Sequence, residues 1–138
     1  MKRFFADTFY WVALFNPKDA WHQRVMAFSR ALGAYHITTT EEVLSEFLTF
    51  FSGADAEGRQ KASALVRSVM AKINVTVIHQ SHTSFLQSLE LYEARLDKNY
   101  SLVDCGSMIV MRQHRLLEAL TNDHHFTQEG FQILFTEN

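Results

Sequence analysis

YSLVDCGSMIVMRQHRLLEALTNDHHF, residues Tyr100 to Phe126, decides how this chain is read. Leu102 to Met111 reads as a helix capped by Ser101 and apolar almost all the way round. At roughly 100° per residue its only polar side chains, Asp104 and Ser107, share one side. A helix apolar on every face is buried, and a buried carboxylate needs a partner. No lysine or arginine lies within a turn of Asp104 on that helix, so a metal ion is the candidate. Ala119 to Thr121 then reads as a strand, ending two residues before a second acid in apolar sequence, Asp123.

The rest of the chain repeats this alternation of strand and helix. Arg3–Ala6 is a short buried strand ending at Asp7, and a helix follows from about Thr8 to Phe15. Asn16-Pro17-Lys18-Asp19 is a helix start signal, predicting a helix that runs to Gly33. Ala34–Thr38 is the next strand. Thr39-x-x-Glu42 is a capping box that opens a helix through Phe51. An amphipathic helix spans Glu57–Ile73, a strand Val75–Ile78, and a helix His82–Leu96 with Phe85, Leu86, Leu89 and Tyr92 as its stripe. Gln132–Phe135 is the fifth strand. Strands separated by helices imply crossovers, hence an α/β sandwich with a mainly parallel sheet, whose ligands gather at the carboxyl ends of strands where the order reverses. Asp7 and Asp123 both stand just past strand ends.

With 138 residues, 47% apolar and 20% charged, the chain reads as one globular domain over 1–138. A net charge near −2 argues against a generally basic nucleic-acid binder. The longest apolar run, Phe9 to Phe15, is too short for a membrane span. The lone Cys105 suits a reducing cytoplasm and a buried structural thiol.

Four pieces together resemble the PIN-domain ribonucleases, including VapC-type toxins: Phe4-Phe5-Ala6-Asp7-Thr8, Thr38 to Glu46, Tyr100 to Asp104, and Ala119 to Phe126 with Gly130-Phe131. The resemblance implies a three-layer α/β/α sandwich with a five-stranded sheet. It also implies an Mg²⁺- or Mn²⁺-dependent site built from Asp7, Glu46, Asp104 and Asp123, with Asp7, Asp104 and Asp123 as metal ligands. Thr8, Ser107 and Thr121 are supporting hydroxyls by the same analogy. The implied function is a metal-dependent endoribonuclease, the toxin of a type II toxin–antitoxin pair, with RNA as substrate. Its implied partners are an antitoxin and a second copy in a homodimer, with no membrane. The chemistry suits acids: hard divalent ions hold phosphate charge and activate water, whereas two bare carboxylates about 4 Å apart repel by roughly 4 kcal/mol.

Each residue also has a plainer role. Asp7 is placed to cap the first helix, Asp104 completes a capping box begun by Ser101, and Asp123 suits a turn. Glu46 lies roughly 130° from the apolar arc of its helix, with Glu42 on a solvated face, so only the resemblance raises it. Glu42 is the second choice. Arg112, Arg115 and the charges from Arg59 to Lys72 are candidates to position phosphates. The seven histidines include no dense His/Cys set, which disfavours zinc. Some of the early aromatics are expected to cover a partner surface. The competing functions are another Mg²⁺-dependent phosphoryl-transfer domain, disfavoured by Phe9 two residues after Asp7, and a catalytically silent module whose acidic pocket binds a basic partner.

Overall fold

The five runs expected as strands form one sheet in the computed structural model, which describes residues 1–137. They are β1 (Lys2–Ala6), β2 (Tyr35–Thr40), β3 (Val75–Ile78), β4 (Glu118–Leu120) and β5 (Gln132–Ile133). Every pairing is parallel, and the order is β3-β2-β1-β4-β5. Phe4, Phe5 and Ala6 of the central strand are all buried, because a parallel sheet between helices has no solvated face.

The helices are α1 (Thr8–Phe15), α2 (His22–Ala31), α3 (Glu41–Phe50), α4 (Ala56–Ala71), α5 (His82–Ala94), α6 (Leu102–Gln113) and α7 (His125–Gln128). The chain steps outward from β1 through β2 to β3, then crosses back to β4 and β5 on the other side. Right-handed crossovers running in opposite directions carry their helices to opposite faces. Accordingly α1 packs on α2 and α3, α3 on α4, and α6 on α5 and α7. The reversal of order falls between β1 and β4, so their carboxyl ends form the crevice where a site belongs.

Local chemistry moved several boundaries. β2 runs two residues past Thr38, and Thr40 rather than Thr39 caps α3, accepting from the Val43 N–H at 3.1 Å. The Thr39 hydroxyl instead donates to the Ala6 carbonyl and ties β2 to β1. The helix expected from Asn16 begins only at His22. Asn16 Oδ1 and Asp19 Oδ1 accept from Lys18 N and Trp21 N, so the predicted capping groups hold a turn. β5 is shorter than expected, stopping at Ile133.

Two helices pack differently from their sequence pattern. α6 is buried through Cys105, Ser107, Met108, Val110 and Met111, while Leu102, Asp104 and Ile109 stay half-exposed, so it is not buried all round. α5 meets α6 through small residues: a Cβ on Gly106 would stand 2.9 Å from Ser88 Oγ. Its expected apolar stripe therefore faces outward, leaving Phe85, Leu86 and Tyr92 exposed. The early aromatics fill the core instead. Phe9, Trp21, Phe28 and Phe135 pack edge to face, as do Phe15, Phe47 and Phe51, and only Phe50 of α3 is largely exposed. No helix among the described residues is long and apolar enough to cross a membrane.

Candidate active site

Asp7 leaves the end of β1 at the N-cap position of α1, yet its side chain makes no capping bond there. Asp7 Oδ2 accepts instead from the Thr121 hydroxyl at 2.9 Å, and the same hydroxyl accepts from the Asp123 N–H at 3.1 Å. Thr121, just past β4, thus couples the two acids across the sheet's reversal point. Burial pushes the Asp7 carboxyl up from 3.8 to about 7. The Thr121 hydroxyl and Thr8 backbone oppose that rise, while the negative charges of Asp104 and Glu46 add to it.

Asp104 does complete the capping box. Its Oδ2 accepts from Ser101 N at 3.0 Å, and its own N–H donates to Ser101 Oγ. Its carboxyl is nevertheless raised, first by burial and then by Asp123, because the cap leaves it facing the other acids. Asp123 Oδ1 accepts from the His125 N–H at 2.9 Å, a turn bond that fixes the entry to α7. Cap or turn residue and cavity wall are one and the same here.

Glu46 joins them from α3. Its Oε1 accepts from Thr8 Oγ1 at 2.6 Å, and it lines the same cavity of about 630 Å³ as Asp7, Asp104 and Asp123. Helical periodicity correctly assigned Glu46 to a solvated face. That face borders an open crevice, so exposure and site membership do not conflict. Glu42 points elsewhere: its Oε1 is buried without a hydrogen-bond partner, and Oε2 lies towards Gly106. Ser107, expected as a supporting hydroxyl, is not on the cavity wall; it sits on the buried face of α6 with no hydrogen-bond partner.

His125 was not singled out in the sequence, where His124-His125 carries no spacing signal. Its Nδ1 is buried, has no hydrogen-bond partner, and lies 3.3 Å from Asp123 Oδ1 and 3.6 Å from Asp104 Oδ2. Donor atoms of Asp104, Asp123 and His125 all fall within 4.8 Å of one another, and Asp7 lines the same cavity outside that tight group. No lysine or arginine lines the cavity among the described residues. An orphaned nitrogen among carboxylates that repel one another fits a divalent cation.

Behind this wall lies a charge network that the sequence did not reveal. Glu129, its side chain almost wholly buried, accepts from Arg95 Nε at 2.9 Å, Arg112 at 2.7 Å and the Tyr100 hydroxyl at 2.9 Å. Burial alone would raise its carboxyl, but these three donors outweigh it and hold it at about 2. The Tyr100 ring packs edge to face on His125 at 5.3 Å. Arg112 is therefore a structural partner and not a free cation at the rim. Arg115, at φ 55°, closes the end of α6, with Leu116 N bonding to Met111 O and Arg115 N to Arg112 O. Neither they nor the α4 charges line the cavity. Burial raises the Cys105 thiol to about 11, as expected of a structural thiol.

No protein-family model matches the chain. It is 29% identical over 130 residues to the 23S rRNA-specific endonuclease VapC20 of Mycobacterium tuberculosis, from both strain CDC 1551 / Oshkosh and strain H37Rv. The match covers 92% of this chain and 94% of that protein. The crystal structure of M. tuberculosis VapC20, described as a Sarcin-Ricin loop cleaving toxin, superposes with a TM-score of 0.81 at 27% identity, covering 93% of this chain and 95% of that one. FitAcB from Neisseria gonorrhoeae shares the fold, with a TM-score of 0.61 at 14% identity over 96% of each chain.

Proposed function

From the homology of this chain to the PIN-domain toxin VapC20, we propose that it is a ribonuclease toxin that hydrolyses RNA phosphodiester bonds at the acid-lined cavity with Mg²⁺ or Mn²⁺. The observation that carries the reading is the convergence of Asp7, Glu46, Asp104 and Asp123 on a cavity with no lysine or arginine on its wall among the described residues. Such a wall repels a bare phosphodiester, so a cation has to come between them.

Asp104, Asp123 and Asp7 would hold that cation, with His125 Nδ1 beside the first two. When bound, a divalent ion supplies Lewis-acid stabilisation of phosphate charge and a more acidic water. Thr121 keeps Asp7 and Asp123 at a set separation through its two hydrogen bonds. Thr8 holds one oxygen of Glu46, leaving Oε2 on the solvated side to accept a proton from the attacking water. An antitoxin inhibits most simply by seating an arginine among these carboxylates. A second copy of the chain has the exposed face of α5, with Phe85, Leu86 and Tyr92, to cover.

The test is a short fluorescent RNA with Mg²⁺ or Mn²⁺ and an EDTA control, alongside 23S rRNA, the substrate in VapC20's name. Cleavage is expected with metal, and none with EDTA or in Asp7→Ala. Folded protein that never cleaves would favour a module that only binds a basic partner.

A further inference from the structure

A second cavity adjoins the acids. Its volume is about 360 Å³, and it is lined by Trp21, Asn122, His124, Phe135, Thr136 and, as its one acid, Glu137. Asn122 and His124 also line the acid cavity, because they flank Asp123 in sequence and stand on the ridge between the two spaces. We propose that this cavity takes the unstacked base of the RNA nucleotide whose phosphate lies at the acids. The proposal rests on the ribonuclease reading and adds how the substrate is gripped.

The wall has the chemistry of a base pocket. Single-stranded RNA is held through aromatic rings that stack bases and amide groups that read their edges. Trp21 is half-exposed and is held from behind by the edge-to-face contacts of Phe9 at 5.4 Å and Phe135 at 6.4 Å. The Arg24 guanidinium lies 4.4 Å from the Trp21 ring centroid and donates to the Thr136 carbonyl. This covers one face of the ring and fixes its orientation. Among the described residues, no hydrogen bond engages the Asn122 amide, the His124 ring or the Trp21 indole N–H, so all three are available to a base edge. An Asn amide pairs with a base through two parallel hydrogen bonds, as it does with adenine. The acid cavity holds phosphate charge and the neighbouring cavity an apolar ring, which is the division a nucleotide presents.

The test uses the full chain with Ca²⁺ and short single-stranded RNAs carrying 2-aminopurine or an abasic site at successive positions. Stacking on Trp21 should quench 2-aminopurine at one position only. Trp21→Leu should abolish the quench and weaken binding about fivefold to a hundredfold. Trp21→Phe should retain part of both, and Asn122→Ala should alter the ranking of the four bases. The abasic RNA should bind wild type as weakly as the intact RNA binds Trp21→Leu. Equal binding of abasic and intact RNA, or a quench that survives Trp21→Leu in folded protein, overturns the proposal. A parallel assay with Mn²⁺ separates the two readings. Cleavage without base-dependent binding refutes the base pocket alone, whereas base-dependent binding without cleavage refutes the ribonuclease alone.

Discussion

Asp7→Asn should stabilise the protein in the absence of metal, by an amount that grows as pH rises from about 4 to 7 and is constant above that. The wild-type carboxyl is buried and raised from 3.8 to about 7, so the folded state keeps a proton that the unfolded chain releases. Asp7's contribution to stability is therefore most favourable below pH 3.8. It declines as pH rises towards 7 and levels off above that. Across that window the ionised group costs the fold about 4 kcal/mol, as an upper figure. Asparagine has nearly the same shape, never ionises, and still offers an oxygen to the Thr121 hydroxyl.

In EDTA, the variant should melt within a few degrees of wild type at pH 4. The gap should open to as much as about 15 °C at pH 8, taking about 4 °C per kcal/mol for a domain of this size. Mn²⁺ at pH 8 should raise the wild-type melting temperature and shrink the gap, since the ion relieves the same charge. Calorimetry or circular dichroism melts at four or five pH values are sufficient. A constant difference between pH 4 and pH 8, or a variant less stable at pH 8, would show that Asp7 is not a strained carboxylate facing other acids.

Thr121→Val removes both the donor to Asp7 and the acceptor for Asp123 N–H; it should cost about 1–3 kcal/mol, read by urea denaturation. It should also steepen the loss of stability towards alkaline pH, because the hydroxyl holds the Asp7 carboxyl down, and an unchanged pH slope contradicts this. Glu129→Gln leaves Arg95 and Arg112 without their anion and should cost about 2 kcal/mol, less than a fully buried pair because both arginines are partly exposed. Glu129 is held at about 2, so its stabilisation is present above its ordinary 4.5 and lost as pH falls towards 2; wild type and variant should converge in melting temperature over that range. If the proposed dimer uses α5, wild type should sediment as a dimer and the double variant Leu86→Glu with Tyr92→Glu as a monomer, and equal masses would remove α5 from the interface.

The alternation of short apolar runs with helical segments was sufficient to determine the parallel five-stranded sheet. Strand and helix periods are local properties, and crossover handedness leaves few ways to connect them. Asp7 and Asp123 were legible for the same reason: each follows a strand, and strand ends at a reversal of order meet by topology. Glu46 was legible only through its resemblance to a motif, because periodicity distinguishes buried from solvated faces and an open crevice is solvated. Ser107 shows the opposite limit. It shares a helical side with Asp104 but lies one turn further on, where that side has turned into the core.

What tertiary structure alone decided was partnership. His125 beside Asp104 and Asp123, and Glu129 between two arginines and Tyr100, join segments that no local pattern relates. The stretch from Tyr100 to Phe126 posed the question of what neutralises Asp104. Its local sequence supplied the Ser101 cap, but the neighbouring acids and the imidazole come together only once β1 and β4 lie side by side. Charge pairing depends on distance in space, and a chain's own sequence specifies that distance only across a turn or two.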